Sequence, residues 1–450
     1  MSAKAHVPTP ARLAAVALVA LVALAIAACS GGGSKSSTSP TPSGSASTSN
    51  APVPTGPANA LLVIGSPDAT KAVLADATSL ALVKNYLLTS LSMDPASFAG
   101  ITFASDDTVW GAEPAAPQAD SQAFLDAYNG AYGAPPAGVP VAAAYDSVYL
   151  IALAAVAANS SVGSAIRDNI DFVANSPGDV AKYGGDAFAT ATQTLAAGGE
   201  INYIGASGQV DLDANGEASK GGAQTWKVIN GQIAPIETRD VDLAAESGDS
   251  VPAGELKTST TPATAPLVIG ILVTDDDAGV ALGNAAQLAV DQINGAGDVL
   301  GQSVQLVKQT ITGASDAGAA ATSLTDSGAG AIIGPVAADA VSAALDVAKA
   351  KSVPLLALSS ATELSALDGG GFLFRIVPSD ALQMPVLANL ALEEHADNIC
   401  VLYADGTVGK TMADAFQKAM QFKKANVRSS QAFDPAVGDY KSLLQTCIGG

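Results

Sequence analysis

Short apolar runs alternate along the second half of the chain with longer stretches that have apolar residues at helical spacing. Leu267–Val273 is a continuous apolar run, which is typical of a strand buried in a parallel sheet. After it, Leu282, Ala286, Ala289 and Ile293 recur at spacings of four, three and four, which predicts a helix. Further strands are predicted at 303–309, 331–334, 353–358, 372–377 and 398–403, separated by alanine-rich helical stretches. This alternation predicts a doubly wound α/β fold.

The first half opens with the same alternation and then becomes mainly helical. A strand at 60–65, a helix from Asp68 to about Val83, and strands at 85–90 and 100–105 are predicted. A long helix is predicted from the helical spacing of Ala142, Tyr145, Tyr149, Ala152 and Val156. The stretch 208–232 that closes this half is typical of a hairpin.

Two stretches lack any apolar periodicity and separate the regions that can fold. Residues 30–58 are nearly all Ser, Gly, Thr, Pro and Ala, and 241–265 has a similar Ser/Thr/Pro character, so both are predicted to be flexible. They leave two folded segments, 59–240 and 266–450. The hydrophobic content of 48% excludes disorder throughout, and 450 residues are enough for two or three domains with real cores.

The chain is strongly acidic, and this narrows the classes of partner. It has 42 Asp and Glu against 21 Lys and Arg, a formal net charge of −21. Nucleic acid and anionic membrane surfaces are therefore disfavoured as partners. A soluble, acidic, extracytoplasmic protein fits this charge better.

The N-terminus predicts export and lipid anchoring. Lys4 and Arg12 precede the apolar run Leu13–Ala25, which is too short for a comfortable transmembrane helix but suits a signal peptide over 1–28. The sequence Ile26-Ala27-Ala28-Cys29 resembles the bacterial lipobox, which implies cleavage before Cys29 and lipidation of that residue. Removing the two basic residues leaves 19 cations against 42 anions, or −23. We expect a protein anchored to the outer face of the bacterial cell membrane, with 29–58 as a tether; an ordinary secretory signal with a chance cysteine is the alternative.

Nine motifs resemble one family of proteins. The chain resembles type I periplasmic binding proteins, in particular the branch that binds leucine, isoleucine and valine. Landmarks of the N-terminal part of that family are matched, in order, by "VALGNAAQLAVDQINGAGDVLGQSVQLV", "AIIGP", "VPLLALSSAT", "GGGFLFRIVPSDALQ", "VLYADGTVGKTMADAF" and "DYKSLLQ". Its C-terminal part is matched by "LLVIGSPDATKAVLADA", "FLDAYNGAYGAPPAGVPVAAAYDSVYLIALA" and "EINYIGASGQVDLDANGEASKG". Together the motifs cover nearly all of 59–450.

The order of the motifs departs from the family, because the C-terminal part comes first. Each motif occurs once, so the chain is interpreted as a circular permutation of two doubly wound lobes joined by a hinge, with 241–265 linking the old ends. The resemblance assigns 116–240, which includes a crossover strand, and 266–392 to lobe I. It assigns 59–115 and 393–450 to lobe II. Two alternatives stay open: a dimer that exchanges halves between chains, and a rearranged, inactive gene product.

The resemblance implies capture of a small polar solute and its delivery to the permease of an ABC importer. The solute would be a branched-chain amino acid, an amide or a related compound, trapped when the two lobes close about the hinge. A ligand sensor or interaction lipoprotein on the same scaffold is the alternative function. No catalytic constellation is recognisable, so we expect neither enzymatic activity nor a cofactor.

The best candidate site follows the strand predicted at 353–358. Hydroxyls and backbone N–H groups of Ser359, Ser360, Ala361 and Thr362 converge where a helix opens, which suits a carboxylate or amide oxygen. Simple helix capping is the alternative. In the family that the chain resembles, this loop holds the head group of an amino-acid ligand. Tyr145 is a further candidate for the pocket, although a core aromatic residue is nearly as good an interpretation.

Three positions depart from the pattern of amino-acid binders. Ala337-Ala338-Asp339 stands where such proteins supply a serine, Thr89-Ser90 where they supply an acid for the α-ammonium group, and Val408 where a tyrosine is expected. These differences weaken the assignment of an α-amino acid as the ligand, so another small polar solute is an equally good assignment. The remaining candidate liners are Asp339, Thr407, Ser66 and Ser90.

Two motifs imitate nucleotide and calcium sites. The stretch 404–411 sits between a strand and a helix like a phosphate-binding loop, but Ala404 replaces the required glycine. The stretch 211–217 imitates the start of a calcium loop, but Gly222 replaces the closing glutamate, so a β-turn is favoured. After loss of the signal peptide His395 is the one histidine left, so a His-based triad or zinc site is nearly excluded and no metal is expected.

Two cysteines remain after Cys29. Cys447 shares a predicted helical face with Val437, Tyr440 and Leu444, and Cys400 lies in a predicted buried strand. Both can be core residues. In an oxidising exterior they can instead form a disulfide that ties the C-terminal helix to its sheet.

Overall fold

The structure is a computed structural model that describes residues 56–115, 121–175, 177–259, 263 and 265–449. The predicted signal peptide, Cys29 and most of the tether therefore lie outside the described residues. The strands are β1 (Ala60–Ile64), β2 (Asn85–Leu88), β3 (Thr108–Ala115), β4 (Asp179–Lys182), β5 (Ile201–Gly205), β6 (Gly208–Gln209), β7 (Lys220–Ile229), β8 (Gln232–Asp242), β9 (Val268–Thr274), β10 (Gln305–Ile311), β11 (Ala331–Ile333), β12 (Leu355–Leu356), β13 (Leu373–Phe374), β14 (Asn398–Ala404) and β15 (Asn426–Phe433). The helices are α1 (Pro67–Leu80), α2 (Gln122–Tyr132), α3 (Val141–Ala158), α4 (Gly163–Arg167), α5 (Ile170–Asn175), α6 (Gly185–Ala196), α7 (Leu243–Ser247), α8 (Asp277–Ala296), α9 (Ala314–Asp326), α10 (Ala338–Lys351), α11 (Gln383–Glu393), α12 (Thr407–Phe422) and α13 (Lys441–Ile448). Short 3₁₀ helices occupy Ser90–Ser92, Pro95–Phe98, Thr362–Ala366 and Asp380–Leu382.

Lobe I is the five-stranded parallel sheet β10-β9-β11-β12-β13 with its covering helices. Side chains of β9 alternate: Ile269 and Ile271 point to the core formed with α3 and α8, while Leu272 points to the core formed with α9 and α10. Both faces of the sheet are thus covered, as a doubly wound fold requires. A small sheet, β4-β5-β6, packs with α5 and α6 on the α3 side.

Lobe II is the seven-stranded sheet β15-β14-β1-β2-β3-β7-β8 with its covering helices. The strands from β15 to β3 are parallel, and β7 and β8 complete the sheet as an antiparallel hairpin. One face packs against α1 and α13, and the other against α11 and α12. The structure therefore has the predicted α/β class, with helices on both faces of each large sheet.

Residues from both halves of the chain build each lobe. In lobe II, β1 lies between β14 and β2, with Leu62 opposite Val401 on one side and Leu87 on the other. In lobe I, α3 from the first half packs along α8 from the second. The N–H of Ala58 donates to the carbonyl of Ile448 (2.8 Å), so β1 begins directly beside the end of α13.

Several element boundaries differ from those predicted. The prediction of a strand at 100–105 is wrong: Ile101 and Phe103 of this loop pack half-buried on the lobe II core, and the strand is β3. β3 pairs with β2 and β7 instead, and Gly111 is needed there because the Trp226 ring fills the space where a Cβ would stand. α11 packs on the lobe II sheet, so the change of lobe precedes Gln383 and does not fall at 392/393 as predicted.

The stretch 241–265 is not a featureless linker in its described part. β8 continues to Asp242, whose carboxylate caps α7 by accepting from the N–H of Ala244 (3.0 Å). Beyond α7 the chain lies along lobe I, where the N–H of Ser259 donates to the carbonyl of Ala158 (2.8 Å). This stretch therefore joins the sheet of lobe II to β9 of lobe I through defined contacts.

Helix α3 is apolar on every side because it is a core helix. Among the described residues it alone is long and apolar enough to cross a membrane, but 89% of it is buried within the protein. Its one buried carboxylate, Asp146, accepts hydrogen bonds from the hydroxyl of Tyr203 (2.9 Å) and from the N–H groups of Ala206 (2.9 Å) and Ser207 (2.7 Å). Asp146 thereby holds the turn between β5 and β6 against α3.

Cys400 of β14 and Cys447 of α13 are joined by a disulfide, with a Cα–Cα distance of 5.6 Å. Both residues are fully buried in the same core of lobe II. The bond fixes α13 to the sheet where β1 and α13 meet.

Candidate functional site

The candidate loop Ser359–Thr362 follows β12 at the carboxyl edge of the lobe I sheet. Ser359 and Thr362 are each 2% exposed, whereas Ser360 and Ala361 are half-buried. The Oγ of Ser359 accepts a long hydrogen bond from the N–H of Ala361 (3.4 Å), and the 3₁₀ helix begins at Thr362. The loop therefore turns back on itself and presents Ser360 and Ala361 outward.

A cavity of about 380 Å³ lies against this loop. Its opposite wall is the start of α10, where Ala337 precedes the helix and supplies no side-chain cap. Backbone N–H groups at such a helix start attract acceptor oxygens. The lining residues are Gly138, Pro140, Val336, Ala337, Ala338, Leu358, Ser359, Ser360, Ala361, Glu363, Val377 and Asp380.

The cavity has an acidic rim. Glu363 and Asp380 are its only charged lining residues, and no Lys, Arg or His lines it among the described residues. Burial raises the pKa of Asp380, and a hydrogen bond with Ser360 works against that shift. The cavity thus combines acceptor carboxylates with the hydroxyls of the serines, so it suits a ligand that carries donor groups.

Arg375 lies beneath the loop and binds it. The sequence patterns did not predict this residue as part of the site. The guanidinium is fully buried; Nη1 donates to the carbonyl of Ala361 (2.6 Å), and Nη2 donates to Ser365 Oγ (2.7 Å) and to Glu217 Oε1 (2.6 Å). Glu217 lies on the crossover from β6 to β7, so one cation joins the candidate loop to a segment that connects the two lobes. A signal existed in the sequence, since an arginine within the apolar run 372–377 needs a buried partner.

Three of the predicted site residues meet at this cavity: Ser359, Ser360 and Ala361. Thr362 lies beneath the loop, outside the lining. Asp339 is in the first turn of α10 next to the lining residue Ala338, but its carboxylate accepts from the N–H of Ala340 (2.8 Å). The carboxylate of Asp339, which was predicted to contact the ligand, therefore bonds the first turn of its own helix instead.

Tyr145 lies in the core of lobe I and does not line the cavity. It is 1% exposed, and its hydroxyl donates to Gln292 Oε1, which also accepts from Tyr149 (2.9 Å). Its ring packs on Phe124, with centroids 4.8 Å apart. The structure thus places Tyr145 as a core aromatic residue, the alternative that the sequence left open.

The lobe II candidates occupy the carboxyl edge of the other sheet but do not share the cavity. Thr407 lines a second cavity of about 440 Å³, together with Tyr403, Asp405, Gly406, Lys410, Thr411, Asp414 and Ala366. Ser90 bonds Gln383 twice, with its N–H donating to Oε1 (2.8 Å) and its Oγ accepting from Nε2 (2.9 Å). Ser66 is exposed before α1 and makes no side-chain cap.

The two lobes meet near both cavities. Helix α12 of lobe II contacts the 3₁₀ helix Thr362–Ala366 of lobe I, and Ala366 of that turn lines the second cavity.

The two stretches that resemble a phosphate-binding loop and a calcium loop have other structures. The stretch 404–411 is the junction of β14 and α12, and 211–217 contains a turn in which Asp213 Oδ1 accepts from the N–H of Asn215 (2.8 Å). The favoured turn at 211–217 is confirmed. No cluster of three potential metal ligands occurs within the ranges that the structure describes.

Comparison with known proteins finds one family that is similar to the second half of the chain. The family described as the receptor family ligand binding region matches residues 281–447, which is less than half of the chain. This part of the chain is similar to that family, and it includes the loop Ser359–Thr362. No curated protein that was compared matches the chain.

Solved structures match over a similar share of the chain. The branched-chain amino acid transporter substrate-binding protein LivJ of Streptococcus pneumoniae, solved with isoleucine, has 27% identity, covers 41% of this chain and 55% of its own, and gives a TM-score of 0.29. An ABC transporter substrate-binding protein of Desulfitobacterium hafniense has 25% identity, with 39% and 52% covered and a TM-score of 0.32. A solute-binding protein of R. palustris, solved with 4-hydroxybenzoate, has 18% identity, with 40% and 50% covered and a TM-score of 0.28. The chain spans about half the length of these proteins, and at such scores the superpositions carry no argument.

Proposed function

We propose that this protein is an extracytoplasmic solute-binding protein that captures a small polar solute between two α/β lobes and delivers it to the permease of an ABC importer. The observation that carries the proposal is the cavity between the Ser359–Ala361 loop and the start of α10, which would form the lobe I wall of the site, next to the contact of α12 with Thr362–Ala366. It lies outside the carboxyl ends of parallel strands, where open α/β sheets bind ligands. The family match over 281–447 supports the same class.

The chain order is proposed to be a circular permutation of the type I periplasmic binding protein fold. The contact between Ala58 and Ile448 supports it, because α13 would lead directly into β1 if the two were joined. The position of β1 between β14 and β2 supports it too. In this proposal lobe I comprises 121–210 and 266–377, lobe II comprises 59–115, 220–247 and 383–449, and both lobes come from one chain.

The solute is proposed to carry hydrogen-bond donors, such as the ammonium of an amino acid or the N–H groups of an amide. Asp380 and Glu363 would accept from those groups, and Ser360 with the start of α10 would donate to a carboxylate or carbonyl oxygen. A simple carboxylate lacks the donor groups and would meet two like charges, which cost free energy in a partly buried site.

Attachment to the membrane is proposed to occur through lipidated Cys29, with the following low-complexity residues as the tether. The mature charge of −23 keeps the folded part away from anionic lipid surfaces. The lipid would keep the protein beside its permease. Mass spectrometry of the purified protein tests this: we expect a lipid-modified N-terminal Cys29, and a mature chain that begins elsewhere would contradict it.

A thermal-shift screen of the full chain carrying Cys29→Ser tests the binding function. Amino acids, amides, urea and small carboxylates are added in turn; a ligand at about 100 times its dissociation constant adds about 2.7 kcal/mol to the free energy of unfolding. We expect a shift with a donor-bearing solute and none with benzoate or acetate. Asp380→Asn should abolish the shift, whereas Asp326→Asn, which alters an exposed acid on lobe I, should not.

The outcomes separate the interpretations. A cooperative melt that no solute shifts would contradict the binding proposal. A non-cooperative melt would favour the rearranged, inactive product. A shift with carboxylates alone would keep the binding function and overturn the assignment of Asp380 and Glu363.

A further inference from the structure

We propose that residues 243–259, here called the strap, form an additional connection between the lobes that restrains their relative motion. Ion pairs bind one end of the strap to α12. The chain already passes between the lobes from β3 to α2, from β6 to β7 and from β13 to α11. The strap adds a passage from β8 to β9, because the former lies in the lobe II sheet and the latter in the lobe I sheet. This inference concerns the motion of the lobes and does not depend on what the cavity binds.

The lobe II end of the strap is held by charged groups. Glu246 pairs with Lys423 (2.5 Å) and accepts from Asn389 Nδ2 (2.9 Å). Asp249 pairs with Lys418 of α12, and Lys423 directly follows the last residue of that helix. Between them Gly248 has φ +72 and lies against the Phe422 ring, where a Cβ would stand 2.9 Å from two ring carbons. The end of the strap is thus fitted closely to α12.

The lobe I end is held by neutral groups. The Asn169 side chain exchanges two hydrogen bonds with the backbone of Lys257, both of 2.9 Å. Gly254 lies against the backbone of Phe172, where a Cβ would stand 2.1 Å from the Phe172 Cα. Nδ2 of Asn175 donates both to the carbonyl of Pro252 (3.1 Å) and to that of Leu212 (2.6 Å), which precedes β7. The strap is therefore coupled to an existing crossover.

The length of chain between the two anchors limits relative motion. Only Ser250 and Val251 separate Asp249 from Pro252, so even a fully extended chain spans about 11 Å between the Cα atoms of the two anchor residues. A hinge motion that carries the anchors further apart must release one of them. Ion pairs that are partly exposed weaken in salt, whereas the bonds of buried Asn169 do not, so the α12 end should release first.

Pulsed electron paramagnetic resonance on the full chain carrying Cys29→Ser measures the arrangement of the lobes directly. Nitroxides at Ser79→Cys on α1 and Ala319→Cys on α9 place one label on an exposed position of each lobe. We expect a narrow distance distribution for the parent and a broader one with a shifted mean for Glu246→Gln/Asp249→Asn. Salt of about 1 M, which shortens the Debye length to about 3 Å, should broaden the parent in the same direction.

A matched control removes an ion pair elsewhere. Lys351→Met breaks the pair with Asp326 on lobe I and should leave the distribution unchanged. A second variant inserts Gly-Ser-Gly-Ser after Ser250, which lengthens the strap and keeps every anchor residue; it should broaden the distribution even if the charge variant folds poorly. A parent-like distribution in the insertion variant would overturn the proposal, as would equal broadening by Lys351→Met.

Discussion

The two lobes have the same architecture but are assembled from the chain in different ways. The five-stranded sheet of lobe I comes from one continuous stretch, β9 to β13. The seven-stranded sheet of lobe II comes from three stretches, 60–115, 220–242 and 398–433. Lobe II therefore depends on pairings between residues more than 300 positions apart, such as Leu62 with Val401.

The difference shows that a sheet requires neighbouring strands and tolerates almost any order of them along the chain. All five β1 residues have partners in β14, and Ala60–Val63 also have partners in β2, regardless of how those strands are connected. Loop closure costs free energy that grows only slowly with loop length, so a long connection is tolerated. Lobe II has in addition the disulfide between Cys400 and Cys447, which closes a 47-residue separation where the distant stretches meet.

The largest effect is expected from separating the two halves. Residues 266–450 alone should not unfold cooperatively, because β14 loses β1 and α8 loses the apolar surface of α3. Circular dichroism during a thermal melt measures this. Co-expression with residues 56–259 is the control and should restore a cooperative transition; a stable, cooperative 266–450 monomer would refute the interleaved assembly.

Removing the disulfide should weaken lobe II selectively. Cys400→Ala/Cys447→Ala should lower the free energy of unfolding by about 2–4 kcal/mol, since the unfolded chain is no longer constrained. Hydrogen exchange read by mass spectrometry should show faster exchange in β14 and α13 and little change in β9 and α8. Equal acceleration in both lobes would mean that they unfold as one unit.

The smallest effect is expected from pH, and it belongs to lobe I. Burial raises the pKa of Asp146 to about 6, although hydrogen bonds from Ser207, Ala206 and Tyr203 oppose the shift. The folded state then binds more protons than the unfolded state between about pH 4 and 6. The contribution of this carboxyl to the free energy of unfolding therefore falls as pH rises through that window, and it stays constant above about pH 6. The change is at most about 3 kcal/mol, at about 1.4 kcal/mol per pKa unit.

Comparing melts of the parent chain and Asp146→Asn from pH 4 to 7 isolates this contribution. The substitution should destabilise the protein at every pH, because an amide nitrogen cannot accept from Ser207, and it should also flatten the pH dependence. Asp326→Asn, an exposed acid on the same lobe, should leave the slope intact. A parent-like slope in Asp146→Asn would show that another group titrates there.

Local patterns predicted those features whose cause is local. The continuous apolar run of β9 and the helical spacing of α8 and α3 correspond to elements in the structure because each element buries the surfaces that its own residues define. The prediction at 100–105 failed because Ile101 and Phe103 are buried by tertiary packing without any strand partner. Tyr145 was ambiguous because an aromatic residue at helical spacing has the same pattern in a core and in a pocket.

The sequence predicted only part of the candidate site, because some of its residues are brought there by tertiary packing and not by a local pattern. Ser359, Ser360 and Ala361 could be selected because they follow a strand and open a helical turn. Asp380 could not, since its place at the cavity depends on the path of the crossover into α11, and Glu363 could not, since it lies in the 3₁₀ helix Thr362–Ala366 that follows the loop. The support of the loop by Arg375 and Glu217 joins residues 158 positions apart, and no local pattern encodes that distance.

By itself the sequence predicted the α/β class and the acidic character and selected the loop at Ser359 as a candidate, because composition and periodicity are properties of neighbouring residues. The tertiary structure decided that β1 enters the sheet beside β14, that Arg375 fixes the candidate loop, that Tyr145 belongs to the core and that 243–259 binds both lobes. Each of these depends on which distant surfaces bury one another and which buried polar groups must then be paired.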